Sequence, residues 1–294
     1  MGKFYYPLSM FRVKKRLPEY LFGGLTVAIV LVWLAVFQLQ DQDYLTVAFL
    51  DVGQGDAVFI EAPNGNQILI DGGPNKKVLS ELSKVMPFYD RSIDALILTH
   101  PHQDHIGGLV EVFKRYDVGY IFDSGSFYGS GEYKEWAGLL ENNKARHLAV
   151  SRGMKIRLGE NMLLEILLPD ADVSCGKDDI HNCMIVSRLV HANNCFLLTG
   201  DMERNLEFKI LNDDIDCEVL KIGHHGSKTS TSDAFLAAVS PDFAIIQSGK
   251  DNRYGHPHDI ILNKLQAAGV SVLRNDQRGV IKFYSDGQRI WLDK

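Results

Sequence analysis

The stretch Thr99-His100-Pro101-His102-Gln103-Asp104-His105-Ile106-Gly107-Gly108 constrains this chain more than any other. Three histidines and an aspartate fall within six residues, directly behind the apolar run Ala95-Leu96-Ile97-Leu98. The run reads as a short buried strand, and Ile106-Gly107-Gly108-Leu109 as the start of a helix. The polar cluster therefore sits on a strand-to-helix loop at the carboxyl end of a strand, where open α/β sheets carry their sites. Imidazole suits zinc and similar transition ions, and a carboxylate adds charge. Four ligand-type side chains packed this closely exceed the need of one ion. The spacing predicts two adjacent metals, His100 and His102 turned to one, Asp104 and His105 to the other. A polar surface loop is the alternative, but three of the chain's ten histidines lie here.

A metal centre needs a core to hold it. With 294 residues, 46% hydrophobic and 23% charged, the chain can build one large domain or two small ones. The net charge is −6, and residues 1–19 hold five basic side chains against one acidic, so the remainder carries about −10. So acidic a body does not suit a passive DNA-binding module, though it leaves room for a nuclease whose metals meet the phosphate. Cys175, Cys183, Cys195 and Cys217 show no C-x-x-C pairing, which argues against a zinc knuckle. Cys183 and Cys195 lie in apolar runs and read as small buried residues. No disulfide can be assigned from the sequence.

Residues 1–19 are basic, Tyr20 to Gln40 carry no charge, and Leu21 to Phe37 is almost wholly apolar. About 20 helical residues span a bilayer, so 20–40 reads as a transmembrane anchor. Leu34-Ala35-Val36-Phe37-Gln38 offers no small-x-small cleavage site, which disfavours a signal peptide. The positive-inside rule then puts 1–19 in the cytoplasm and the body, 41–294, outside it.

Within the body, a strand over Leu45–Leu50 runs into Asp51-Val52-Gly53-Gln54-Gly55-Asp56, a tight turn. A hairpin over Ala57–Glu61 and Gln67–Ile70, turning at Asn64-Gly65, ends on Asp71-Gly72-Gly73. That ending suits a backbone bending closely round a site. Three later strands also end in polar residues: Thr199-Gly200-Asp201, Gly223-His224-His225-Gly226-Ser227, and the loop Asn252-Arg253-Tyr254-Gly255-His256-Pro257. His191 reads as a solvated turn residue between two strands. Ser232 reads as a helix cap, and His258 as a residue at the start of a helix.

His100-Pro101-His102-Gln103-Asp104-His105 matches the H-x-H-x-D-H signature of the metallo-β-lactamase superfamily. Asp51-Val52-Gly53-Gln54-Gly55-Asp56, Ile70-Asp71-Gly72-Gly73, the His-His-Gly-Ser segment and the Asn-x-Tyr-Gly-His-Pro run resemble its ComEC-like competence branch, over roughly residues 45–290. The resemblance implies an αββα sandwich with two divalent metals, zinc or manganese, at one edge. His100, His102 and His181 would hold the first metal. Asp104, His105 and His225 would hold the second, with Asp201 bridging and Asp71 orienting the loop from behind. His181 is preferred to His191 because it precedes the hairpin, where the family places its ligand. His225 is preferred to His224, which would then contact substrate; the reverse order stays open. His256 would donate a proton to a leaving group. The implied reaction is hydrolysis of a phosphodiester, in nucleic acid or an envelope component, by metal-activated water. Hydrolysis of a carboxylic ester, lactone or amide is a second expectation, and a non-catalytic, metal-stabilised binding protein a third. The many-helix channel of ComEC has no counterpart here, so DNA translocation is not implied.

Overall fold

The computed structural model describes residues 1–3, 17–38, 44–173, 175 and 180–293. The chain divides into two units, Met1–Asp41 and Gln42–Lys294. The first holds helix α1 (Leu17–Gln38). Among the described residues no helix is long and apolar enough to cross a membrane. This overturns the expected transmembrane anchor at 20–40, and with it the membrane-anchored body facing outside the cytoplasm.

The second unit repeats one pattern twice. A meander of β1 (Leu45–Phe49), β2 (Val58–Glu61) and β3 (Gln67–Ile70) leads through α2 (Lys77–Leu82) into β4 (Ser92–Ile97), α3 (Gln103–Phe113), β5 (Asp117–Asp123), α4 (Gly131–Asn142) and β6 (Arg146–Ala149). A second meander follows: β7 (Lys155–Gly159), β8 (Met162–Leu168), β9 (Val186–His191) and β10 (Asn194–Leu198). It leads into α5 (Arg204–Ile210), β11 (Val219–Lys221), α6 (Asp233–Val239), β12 (Phe243–Ile246), α7 (Asp259–Ala267) and β13 (Ser271–Arg274). A short α8 (Asn275–Arg278) then brings β14 (Ile281–Ser285) and β15 (Ile290–Leu292) back to the first sheet. The sheets run β15-β14-β1-β2-β3-β4-β5-β6 and β13-β12-β11-β10-β9-β8-β7. In both, the meander strands pair antiparallel and the strands joined through helices pair parallel.

Three apolar clusters separate four layers. Phe49, Ile60, Ile70 and Ile97 of one sheet meet Leu164, Leu189, Phe196 and Ile245 of the other. The outer face of the first sheet packs Phe59, Leu69 and Leu96 on Ile106, Leu109 and Phe113 of α3 and Trp136 of α4. The outer face of the second packs Leu197 and Leu220 on α5, α6 and α7 through Leu206, Phe235 and Leu265. Central strands covered on both faces are mostly apolar, and β1, β3 and β10 are buried along their whole length, with Thr46, Gln67 and Asn194 their only polar residues. This is the metallo-β-lactamase αββα sandwich. Ser232 caps α6 by accepting from Phe235 N, and His258 takes the cap position of α7.

Cys183 and Cys195 are buried, as expected, and the structure adds the pairings that spacing along the chain leaves open. Cys175–Cys183 and Cys195–Cys217 are disulfides, with Cα separations of 5.5 and 5.0 Å. The second forms because β10 and β11 run side by side in register Phe196↔Val219. His191 is buried, not solvated: it ends β9, and its Nδ1 lies 3.0 Å from Ser285 Oγ of β14.

Candidate metal centre

Five strands of the two sheets end at one edge. β3 delivers Asp71, β4 the histidine loop, β10 Asp201, β11 His224 and His225, and β12 Gln247. The backbone itself clamps the first two together. Gly72 N donates to His105 O (2.8 Å), Gly108 N to Gly73 O (2.8 Å), Gly73 N to Asp56 O (2.8 Å) and Asp56 N to Asp104 O (3.2 Å). A methyl group on Gly108 would overlap the Gly72 carbonyl, and one on Gly107 the Pro74 carbonyl. The paired glycines of both motifs are thus explained by close approach of α3 to the Asp71 loop. Asp71, His224 and His225 all take positive φ, 57°, 50° and 55°, so backbone strain concentrates at this edge.

Asp104, His105, Asp201 and His225 each bring a ligand atom within 4.8 Å of the others. His105 Nε2 lies 3.2 Å from Asp201 Oδ2, and His225 Nε2 lies 3.3 Å from Asp104 Oδ2 and 3.4 Å from Asp201 Oδ1. Beside this quartet His100 Nε2 and His102 Nδ1 converge to 2.9 Å, and His100 Nε2 stands 3.9 Å from Asp201 Oδ2. Asp201 therefore touches both groups. The side chain of His181 lies outside the described residues. His105 Nε2 and Asp201 Oδ1 are buried with no hydrogen-bond partner, which is what donors turned toward a cation leave behind. The set of imidazoles and carboxylates fits a divalent transition metal.

Carboxylates behind the rings fix which nitrogen faces the cluster. Asp71 Oδ2 accepts from His105 Nδ1 (2.8 Å) and Thr99 Oγ1 (2.6 Å), while Oδ1 accepts from Thr99 N (2.8 Å). His225 Nδ1 donates to Gln247 O (2.8 Å) and lies 3.2 Å from Asp56 Oδ1. Sequence reading missed Asp56, Gln247 and Lys221. Lys221 left a signal: a charge inside the apolar run Val219-Leu220-Lys221-Ile222.

Opposed charges are packed closely in the site. Burial opposes charge on His105, but Asp201, Asp71 and Asp104 outweigh it and raise the ring well above its ordinary value. His225 is raised the same way, by Asp201 and Asp56. Burial would raise Asp201, yet His225 and His105 hold it well below the usual carboxylate range. His100 is pushed well down by burial and by His105. Asp71 is raised by burial despite its bond to His105.

His224 and His256 stand at the mouth. His224 Nδ1 meets Glu203 Oε1 at 3.1 Å, and Thr229 Oγ1 donates to the same oxygen (2.7 Å). The His256 ring lies 5.8 Å from that of His224 and 6.2 Å from that of His225, with Tyr254 stacked on it at 5.7 Å. Burial, then the rings of His225, His224 and His258, lower His256 to about 4. A groove of about 570 Å³ opens beside Asp104, lined by Lys77, Gln103, Arg253 and Tyr254 among others.

Residues 50–144 match the family described as the metallo-beta-lactamase superfamily. The chain is 32% identical to ComE operon protein 3 of Bacillus subtilis, over 81% of this chain and 32% of that protein. It is 32% identical to Recombination protein 2 of Haemophilus influenzae, over 81% of this chain and 29% of that protein. The chain spans about a third of the length of the curated relatives it matches. In fold it is similar to the metallo-beta-lactamase fold protein YhfI of Bacillus subtilis, with a TM-score of 0.56, 11% identity, and coverage of 82% of this chain and 100% of that one. It is also similar to CmlA, a diiron beta-hydroxylase of Streptomyces venezuelae, with a TM-score of 0.51, 15% identity, and coverage of 78% of this chain and 52% of that one.

Proposed function

We propose, from the premise that this chain carries a metallo-β-lactamase domain, that it is a metal-dependent hydrolase of phosphodiester bonds. The observation that carries the reading is Asp201, shared between the Asp104–His105–His225 group and the His100–His102 pair. A mononuclear or purely structural site has no use for a carboxylate placed between two donor sets. The first set would hold one divalent ion and the second another, zinc or manganese, with His181 a further ligand on the second. Such a pair supplies Lewis acidity and an acidified water.

The chain's own residues do the rest. Asp71 and Asp56 orient the rings. Lys77 and Arg253 line the groove next to Asp104 and suit the oxygens of a phosphate. His256, its ring 6.2 Å from that of His225 and stacked on Tyr254, is assigned to orienting the leaving group. His224, bonded to Glu203, is assigned to proton delivery. The competence relatives favour nucleic acid among phosphodiesters.

The test is turnover of bis-p-nitrophenyl phosphate, plasmid DNA and a lactone by the full chain, with and without chelator. The expected result is phosphodiester cleavage that chelator abolishes and zinc or manganese restores. Turnover of the lactone alone would replace the phosphodiester reading with carboxylic-ester chemistry. Bound metal without any turnover would make this a binding module.

A further inference from the structure

Lys221 is a lysine only 1% exposed. Burying an ammonium is expensive unless it is paired and hydrogen-bonded. Its Nζ donates to the Gly200 carbonyl at 2.7 Å and forms an ion pair with Asp56 Oδ2, itself buried. Its own carbonyl accepts from Thr199 Oγ1 at 2.6 Å. β10 and β11 are parallel neighbours here, with Leu198 opposite Lys221. The lysine therefore ties Gly200, one residue before Asp201, to the end of β11, four residues before His225.

Asp56 carries the effect onward. It lies 3.2 Å from His225 Nδ1 and 3.9 Å from His105 Nδ1. With Asp71 and His105 it forms a second buried group whose ligand atoms fall within 4.8 Å of one another. That group already has a cation, the Lys221 ammonium on Asp56. The pair is neutral as a unit, so Asp56 can orient a ring without adding net charge to a cluster that already holds Asp71, Asp104 and Asp201.

We infer that the buried Lys221–Asp56 pair positions the metal centre: Lys221 holds the Asp56 carboxylate against the Nδ1–H side of His225, leaving Nε2 to the metal. The Gln247 carbonyl takes the Nδ1 proton of His225, as Asp71 does for His105, and Asp56 flanks that nitrogen at 3.2 Å. Lys221 is a positioning residue and touches no substrate. The inference rests on the metal centre proposed above. A plain structural pair, tying two strands together, is the competing role.

The test uses the full chain and three variants. Lys221→Met alone strands a buried carboxylate and Asp56→Asn alone a buried ammonium, and either can fail to fold, so the test is read on Asp56→Asn where it folds and on the double variant Asp56→Asn/Lys221→Met, which strands no charge. Metal affinity is read by competition with a chromophoric chelator, and ligand geometry by the visible spectrum of the cobalt-substituted protein. Both folded variants are expected to bind metal about 10- to 100-fold more weakly, the range found when a ligand's outer partner is lost, with an altered cobalt spectrum. Wild-type affinity and spectrum in the folded double variant would overturn the inference and leave the metal centre standing. A wild-type chain that takes up no metal would overturn the centre and the inference together.

Discussion

A shared carboxylate and a buried histidine fail differently. Asp201 faces both donor groups, whereas His191 is tied to Ser285 on the other sheet. Asp201→Ala is expected to lose most bound metal, and His191→Ala to keep it while losing stability; elemental analysis beside thermal melting separates the two. At the mouth, His224→Ala should slow a phosphodiester with a poor leaving group by about 100- to 10,000-fold, the usual worth of general acid help. A p-nitrophenyl ester should be slowed far less. His256→Ala should slow both esters alike, since orientation does not depend on leaving-group basicity, and paired rate measurements decide it. His147 offers a pH test away from the metals. Its bond to Asp123 at 2.7 Å raises the ring above its ordinary value. A raised folded value stabilises fully below the unfolded one, about 6.5, and the effect is lost as pH rises through the folded value. His147→Ala should therefore destabilise at about pH 5.5, by under about 1 kcal/mol because solvent screens a half-exposed pair, and change little at about pH 9. Chemical denaturation at the two pH values measures this. The ligand loop was legible because its residues are contiguous. Lys221 and Asp56 were not, because 165 positions separate two residues that only the sheets bring together.

The element that matters most is α3. The sequence suggested a helix beginning at Ile106 or Gly108, but α3 begins at Gln103 with His102 at its cap. Asp104 and His105 therefore ride on its first turn, not on a loop. The apolar period starts only at Ile106, because the first turn faces the metal edge and not the core. Gly108→Ala would push α3 off the Gly72 carbonyl and carry both ligands with it. It is expected to cut metal affinity severely while far-UV dichroism stays near normal; wild-type affinity would show that the helix has room to shift. β6 and α8 went unread because Arg146-His147-Leu148-Ala149 and Asn275-Asp276-Gln277-Arg278 carry neither an alternating nor a helical apolar period.

At the scale of the molecule, the centre draws donors from both halves of the repeated pattern. His100, His102, Asp104 and His105 come from the first, Asp201 and His225 from the second. Metal binding would thus join two sheets that also meet through apolar packing, the Lys221–Asp56 pair and the His191–Ser285 contact. At a free metal concentration of 100 times Kd, one site adds about 2.7 kcal/mol. For a unit of this size that raises Tm by roughly 5–10 °C. Calorimetry with zinc and then with chelator should show the rise and its reversal; an unchanged Tm would mean that the donors do not bridge the halves. The fold class was legible through the resemblance carried by His100-Pro101-His102-Gln103-Asp104-His105, not through periodicity. The anchor was misread because an apolar run shows only apolarity, and the same residues can line a helix that does not span a bilayer.

The return of β14 to lie beside β1 has a consequence in time. β1 pairs on one side with β2, a few residues on, and on the other with β14, in register Leu45↔Ser285 to Phe49↔Ile281. A ribosome adding 5–20 residues per second needs roughly 10–50 s to travel from one to the other. Throughout that interval a strand apolar but for Thr46 presents an open hydrogen-bonding edge, the kind of surface that recruits another nascent chain. The most hazardous moment in this protein's life thus precedes its completion, and whatever shelters β1 then must let go before the last strands can close the sheet.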